Sequence, residues 1–143
     1  VYCDVAVIED FVEGTELAIG VIDSGAGPIA LPAVEIEPRS GHFGFEERYI
    51  AGETDYFVPA RLSKSVSAKA AKLAIGAHEA LGLRHISRVD IIVDAKGVPW
   101  FLEANVLPGL TETSLLPQAI LAEGSTLGDV YYSLAQAALR GRG

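Results

Sequence analysis

The chain contains no methionine, a single cysteine and no run of eighteen consecutive apolar residues. Without such a run there is no bilayer-spanning helix to propose, and no secretory leader pattern is visible, so a soluble cytoplasmic protein is expected. Cys3 has no partner for an internal disulfide. Neither it nor the scattered His42, His78 and His85 falls at a metal-binding spacing. Basic residues are also in short supply: 11 Lys and Arg against 19 Asp and Glu give a formal charge of -8. That balance argues against general nucleic-acid binding but still permits a local cation to hold a phosphate. Lack of methionine, with an opening at Val1 on an apolar run, leads us to expect a fragment of a longer polypeptide. Residues 1–143, half of them hydrophobic, are read as one domain-sized unit with its own core.

The pattern along the chain is that of a continuous α/β unit without linker or repeat. Val5–Ile8 and Glu16–Ile22 read as strands flanking Glu13-Gly14, and Ile29–Ile36 continues the sheet after a Gly- and Pro-rich turn. Pro38 to Pro59 holds three glycines and five aromatics without a sustained period. A connection that long is expected to be functional, and this one is the candidate lid. Alanines and leucines then recur at helical spacing from about Val66 to Leu81, with Gly82 as a stop. Leu116–Ala122, closed by Gly124, and Leu127–Leu139, with Thr126 and Asp129 in a capping-box relation, are the last two helices. Arg140 onward reads as a disordered tail.

The chemistry concentrates in Arg88-Val-Asp90 and Glu103-Ala-Asn105. Ile91–Asp94 and Val98–Leu102 are strand-like runs around the turn-forming Ala95-Lys96-Gly97, so they are expected to pair as an antiparallel hairpin. With the turn centred between Lys96 and Gly97, Asp90 stands opposite Glu103 and Arg88 opposite Asn105, all on one face. Two carboxylates across a ladder repel each other unless a cation or a proton lies between them. A hard divalent ion, Mg²⁺ or Mn²⁺, held by Asp90, Glu103 and Asn105 resolves the conflict, with Arg88 gripping a phosphate of the same ligand. A plain salt bridge between Arg88 and one of the acids is the alternative from the hairpin alone.

Past the hairpin the chain runs Glu103-Ala-Asn105-Val-Leu-Pro108-Gly109-Leu-Thr111-Glu-Thr-Ser114-Leu115-Leu-Pro117. This segment, with Arg88-Val-Asp90, resembles the D-alanine-D-alanine ligases of the ATP-grasp superfamily, and the resemblance runs nearly the whole chain. Glu9-Asp-Phe11-Val-Glu-Gly14-Thr-Glu16 is similar to a broader ATP-grasp element, and Glu53 to Ala60 to the family's substrate loop. The resemblance implies an α/β (α+β) fold, the C-terminal ATP-grasp lobe, with a mostly antiparallel sheet flanked by helices. It also implies that an N-terminal domain and a glycine-rich-loop subdomain are missing, so that the isolated chain is inactive. The parent enzyme is expected to be a homodimer.

By the same resemblance, Glu9 and Glu16 match the acids on the adenine side and ribose of ATP, and Asp90, Glu103 and Asn105 match the metal ligands. Arg88 matches the arginine on the transferring phosphate, and Gly109 a backbone N–H donor to the oxyanion of a tetrahedral intermediate. Ser114 and Leu115 match contacts to the carboxylate of the second D-alanine, with Ser114 as a simple N-cap the structural alternative. Tyr49 matches a lid tyrosine that closes on that serine and favours dipeptide over depsipeptide. Three residues depart from the family pattern: Arg48 replaces a lysine that meets the nucleotide phosphates, Val106 replaces a threonine, and Asp10 stands where some members carry a lysine. The activity so implied is ATP-dependent joining of two D-alanines through an acyl phosphate. Two alternatives remain open: an ATP-grasp ligase or cycloligase for another amino-acid pair, and a nucleotide-binding module without turnover.

Overall fold

The computed structural model describes residues 8–38 and 54–141. The elements in chain order are β1 (Gly14–Ile22), β2 (Ile29–Ala30), β3 (Val34–Pro38), β4 (Thr54–Phe57), α1 (Lys64–Ala80), β5 (Ile86–Asp94), β6 (Pro99–Asn105), α2 (Leu115–Ala122) and α3 (Leu127–Arg140). Every strand pairing among the described residues is antiparallel. The sheet runs β4-β3-β1-β5-β6, with β2 also paired to β1. This is the expected antiparallel sheet flanked by helices.

Period-two alternation in β1 divides the core. Leu17, Ile19 and Val21 face one side and join Val89, Ile91 and Val93 of β5 under Ala70 and Ala74 of α1. Ala18 and Ile22 face the other side, with Val34 and Ile36, beneath Leu116, Ala119 and Ile120 of α2 and Val130 of α3. Alanine at the buried positions of α1 lets that helix lie close against β-branched strand residues. Burial of each large aliphatic side chain contributes about 1.5–3 kcal/mol. α1 is capped at its start by Ser63, whose Oγ accepts the Val66 N–H. α3 opens on the expected box: Thr126 Oγ1 accepts from the Asp129 N–H at 3.1 Å and donates to Asp129 Oδ2 at 2.6 Å.

Four sequence expectations need correction or fall outside the described residues. Ile29–Ile36 is not one strand, because Pro32 supplies no N–H to a ladder and the chain breaks into β2 and β3. Within the expected irregular stretch from Pro38 to Pro59, Thr54–Phe57 pairs with β3 as an edge strand; residues 39–53, including Arg48 and Tyr49, lie outside the described residues. Of the expected strand Val5–Ile8, only Ile8 is described, and it is not in a strand; Cys3 also lies outside the described residues. Arg140 is not tail: it ends α3, and its guanidinium donates to the Ser24 carbonyl at 3.0 Å. Among the described residues no helix is long and apolar enough to cross a membrane.

Candidate active site

The hairpin of β5 and β6 forms the expected pairs, Arg88 with Asn105 and Asp90 with Glu103, by a route the sequence reading did not foresee. The turn is a three-residue loop centred on Lys96. Gly97 N–H donates to the Asp94 carbonyl, Asp94 N–H donates to Val98, and Gly97 takes the left-handed conformation at φ 73° that closes such loops. That turn alone pairs Ile92 with Trp100 and Ile91 with Phe101. A β-bulge then leaves Leu102 without a partner and restores Asp90 opposite Glu103. Its effect is to switch faces. Phe101 stands by Leu73 and Ala77 of α1 and by Leu81 just past its end, while Leu102 and Glu103 line a cleft on the opposite side.

That cleft, about 290 Å³, is lined by Glu9, Glu16, Ile36, Asp90, Leu102 and Glu103. The ladder explains the convergence. Ala18 of β1 pairs with Asp90 and Gly20 with Arg88, so Glu16, two residues from Ala18, shares the face that carries the acids of the hairpin. A second cleft of about 470 Å³ adjoins it through Glu16 and Ile36 and includes Phe11, Glu13 and Thr15. The sheet therefore gathers Glu16, Arg88, Asp90, Glu103 and Asn105 from three strands, and the segment before β1 adds Glu9 to the cleft.

Arg88 forms a two-pronged ion pair with Asp90, Nε to Oδ1 and Nη2 to Oδ2, both at 2.8 Å. The hydrogen bonds that Arg88 donates to Asp90, with the added field of Glu103, raise the Arg88 pKa against the opposing pull of burial. The salt bridge weighed as an alternative is thus present, on the same face as the second carboxylate. Asn105 Oδ1 accepts the Leu107 N–H at 3.0 Å, which starts the descent from β6 into the Pro108-Gly109 segment. Among the described residues, no three His, Cys, Asp or Glu side chains converge as a metal cluster. The expected ligand set depends on the amide of Asn105 to supplement two acids.

Ser114 occupies the N-cap position of α2, yet its hydroxyl makes no cap bond. It pairs instead with Thr111 Oγ1 at 2.8 Å, while its N–H donates to the Thr111 carbonyl at 2.8 Å. The simple N-cap alternative therefore fails for the side chain. A Cβ on Gly109 would lie 2.5 Å from Ser114 Oγ, so glycine is what allows this segment to fold onto the serine. The side chain of Leu115 packs against the core, leaving its backbone as the part available to a ligand.

Two features went unseen in the sequence. Arg61 N–H and Nε donate to buried Glu35 at 2.7 and 3.1 Å, Arg61 Nη2 reaches Glu37 at 2.9 Å, and its guanidinium lies 3.6 Å over the Phe57 ring. This clamp fastens β3 to β4. The hydrogen bond from Arg61 holds the Glu35 carboxyl below its ordinary pKa despite burial, and Glu35 in turn raises that of Arg61. Alternation of Glu35 and Glu37 on β3 was the available signal; nothing in spacing pointed to Arg61. The second is the hydroxyl of Tyr131, which donates to the Leu110 carbonyl at 3.2 Å from twenty-one residues away.

The family profile described as D-ala D-ala ligase C-terminus matches residues 2–136. The chain belongs to the D-alanine-D-alanine ligase family. It is 40% identical over 135 residues to the D-alanine-D-alanine ligase of Bordetella petrii, covering 94% of this chain and 41% of that protein. It is 37% identical over 142 residues to the ligase of Pelotomaculum thermopropionicum, covering 99% and 44%. The fold superposes on the D-alanine-D-alanine ligase of Bacillus anthracis with a TM-score of 0.76 at 27% identity, over 94% of this chain and 43% of the other. A VanG D-Ala:D-Ser ligase from Enterococcus faecalis gives 0.74 at 26% identity, over 90% and 37%. This family member thus spans about two fifths of the length of the relatives it matches.

Proposed function

We propose that the chain is the C-terminal lobe of an ATP-dependent ligase that joins two D-alanines for peptidoglycan precursor synthesis, in the cytoplasm where ATP is supplied. The observation that carries this reading is the hairpin register, which sets Arg88, Asp90, Glu103 and Asn105 on one face beside Glu16. A companion lobe closes over that face and completes the nucleotide site, so these 143 residues alone do not turn over.

In the proposed reaction the carboxylate of one D-alanine takes the γ-phosphoryl group of ATP, giving an acyl phosphate and ADP. The amine of the second D-alanine attacks the acyl carbon. The new C–N bond forms, phosphate leaves, and the amine gives up a proton. Glu16 accepts hydrogen bonds from the ribose hydroxyls, with Glu9 on the adenine side. Arg88 offsets charge on the transferring phosphoryl oxygens, its guanidinium held in place and partly desolvated beside Asp90. Gly109 donates its N–H to the oxyanion of the tetrahedral adduct. Ser114 Oγ and the Leu115 N–H hold the carboxylate of the second D-alanine, with Tyr49 closing over them and Arg48 on the phosphates.

The residues present suit a hard divalent cation. Two carboxylates directly opposed across a ladder need positive charge beyond one arginine, and both acids, like the Asn105 amide, keep oxygen lone pairs after the bonds they make here. Asp90, Glu103 and Asn105 would hold Mg²⁺ or Mn²⁺, which when bound supplies neutralisation of phosphate charge.

The test is ADP release by the complete polypeptide with Mg²⁺, given D-alanine alone and then D-alanine with D-serine or D-lactate. Turnover and dipeptide on D-alanine alone are expected. Turnover only with D-serine would shift the acceptor, a second reading that the likeness to the VanG ligase favours. No ADP release with any of them would overturn the reading.

A further inference from the structure

We infer that Tyr131 is a positioning residue that sets the Gly109–Ser114 segment for the second amino acid, on the ligase reading above. That segment is irregular from Val106 to Ser114, so no ladder fixes it. It is tied at its start by Asn105 Oδ1 and at its end by the Thr111 and Ser114 pair. Between those ties Pro108 is buried, but Gly109 and Leu110 are exposed, and the Leu110 carbonyl is held by the Tyr131 hydroxyl at 3.2 Å. The peptide bond that carries the Leu110 carbonyl also carries the Thr111 N–H, so fixing one fixes the orientation of the other. Rotation about this point moves Gly109, where an added Cβ would lie 2.5 Å from Ser114 Oγ.

Tyr131 is suited to this task. Its ring packs against the core cluster under α2 and α3, which makes it a rigid arm rather than a mobile surface chain. Its neighbour Tyr132 is 68% exposed, so the two tyrosines separate cleanly into an anchored and an unanchored member. The hydroxyl touches neither substrate nor nucleotide on this reading. It acts through the loop, holding the Gly109 N–H and the Ser114 hydroxyl in the geometry the second D-alanine meets.

The experiment compares the complete polypeptide with its Tyr131→Phe and Tyr132→Phe variants, measuring ADP release against D-alanine and against ATP, together with thermal midpoints. Tyr131→Phe keeps the ring in the core and removes one neutral hydrogen bond. It is expected to lower kcat/KM for D-alanine about three- to tenfold while the KM for ATP and the thermal midpoint stay near wild type. Tyr132→Phe is expected to match wild type throughout. In the 143-residue chain, faster amide hydrogen exchange across Gly109–Ser114 on Tyr131→Phe is the matching structural readout. An active wild type whose kinetics Tyr131→Phe reproduces would overturn the assignment alone, as would a loss of ATP and D-alanine affinity together with the midpoint. A wild type inactive on D-alanine would take down the ligase reading, and this assignment with it.

Discussion

Deletion of Leu102 from β6 is expected to preserve the sheet and leave every other side chain on its present face. Between the turn and the bulge the pairs are Ile91 with Phe101 and Ile92 with Trp100; beyond it they are Asp90 with Glu103 and Arg88 with Asn105. Removing Leu102 makes Phe101 and Glu103 consecutive, and a regular ladder then reproduces both sets of pairs with every side chain on its present face. Leu102 is 44% exposed, so the loss is about half the burial of a leucine, about 1 kcal/mol. Deleting Ala104 has no such escape. If the bulge is consumed, Glu103 moves opposite Val89, which is fully buried with Ala70 and Ala74. Keeping a glutamic acid protonated there at pH 7 costs about 4 kcal/mol. If the bulge persists, Asn105 enters the same place and buries an amide without partners, at about 1–3 kcal/mol. Thermal unfolding of the 143-residue chain followed by circular dichroism should show a fall of about 4 °C for the Leu102 deletion and roughly 10 °C for the Ala104 deletion. Equal losses would refute the assignment of Leu102 as the bulge residue and the face switch built on it.

Glu103→Gln in the complete polypeptide is expected to lower turnover at least about a hundredfold, on the order of 3 kcal/mol of transition-state stabilisation. Near-native turnover would remove the opposed carboxylates from the chemistry. Gly109→Ala places a methyl 2.5 Å from Ser114 Oγ, so the serine must leave Thr111; activity should fall about tenfold, and Ser114→Ala in the same chain should relieve part of the loss. Additive effects of the two changes would show that they do not meet. Burial pushes the His78 imidazole below its ordinary value of 6.5, against the opposing fields of Asp23 and Glu79 and with that of His85. The unfolded chain therefore takes up the proton first as pH falls. This contribution is complete above about pH 6.5 and is lost progressively below it, toward the folded-state value. Thermal midpoints between pH 7.5 and 5.5 should decline less in His78→Gln than in wild type, and parallel declines would exclude His78 as the source.

What was legible in the sequence and what was not divide along one physical line. Period-two alternation and turn residues are local, so the hairpin, the three helices, the Thr126 and Asp129 box and the pairing of Asp90 with Glu103 were all readable. The register was reached with a compensating error: the expected turn was centred half a residue too far along, and the bulge at Leu102 makes up the difference. Nothing local distinguishes a longer turn from a bulge, because both place the same residues opposite one another at the far end of the ladder. They differ only from Pro99 to Leu102, where the face is decided by which side chain meets α1, and that side chain is Phe101. The same reasoning explains why Arg61 and Tyr131 escaped notice. Each is a single side chain whose role arises where a distant element delivers it, Arg61 to Glu35 on the neighbouring strand and Tyr131 to a loop twenty-one residues earlier. Residues proposed to touch ligand cluster in short motifs because the chemistry needs several groups at fixed spacing on one strand or turn. Those that hold the motif in place need only reach it, so many positions on the surrounding elements could serve. Tyr131 is such a supporting residue, and removing its hydroxyl tests directly whether the loop depends on the tie it makes to the Leu110 carbonyl.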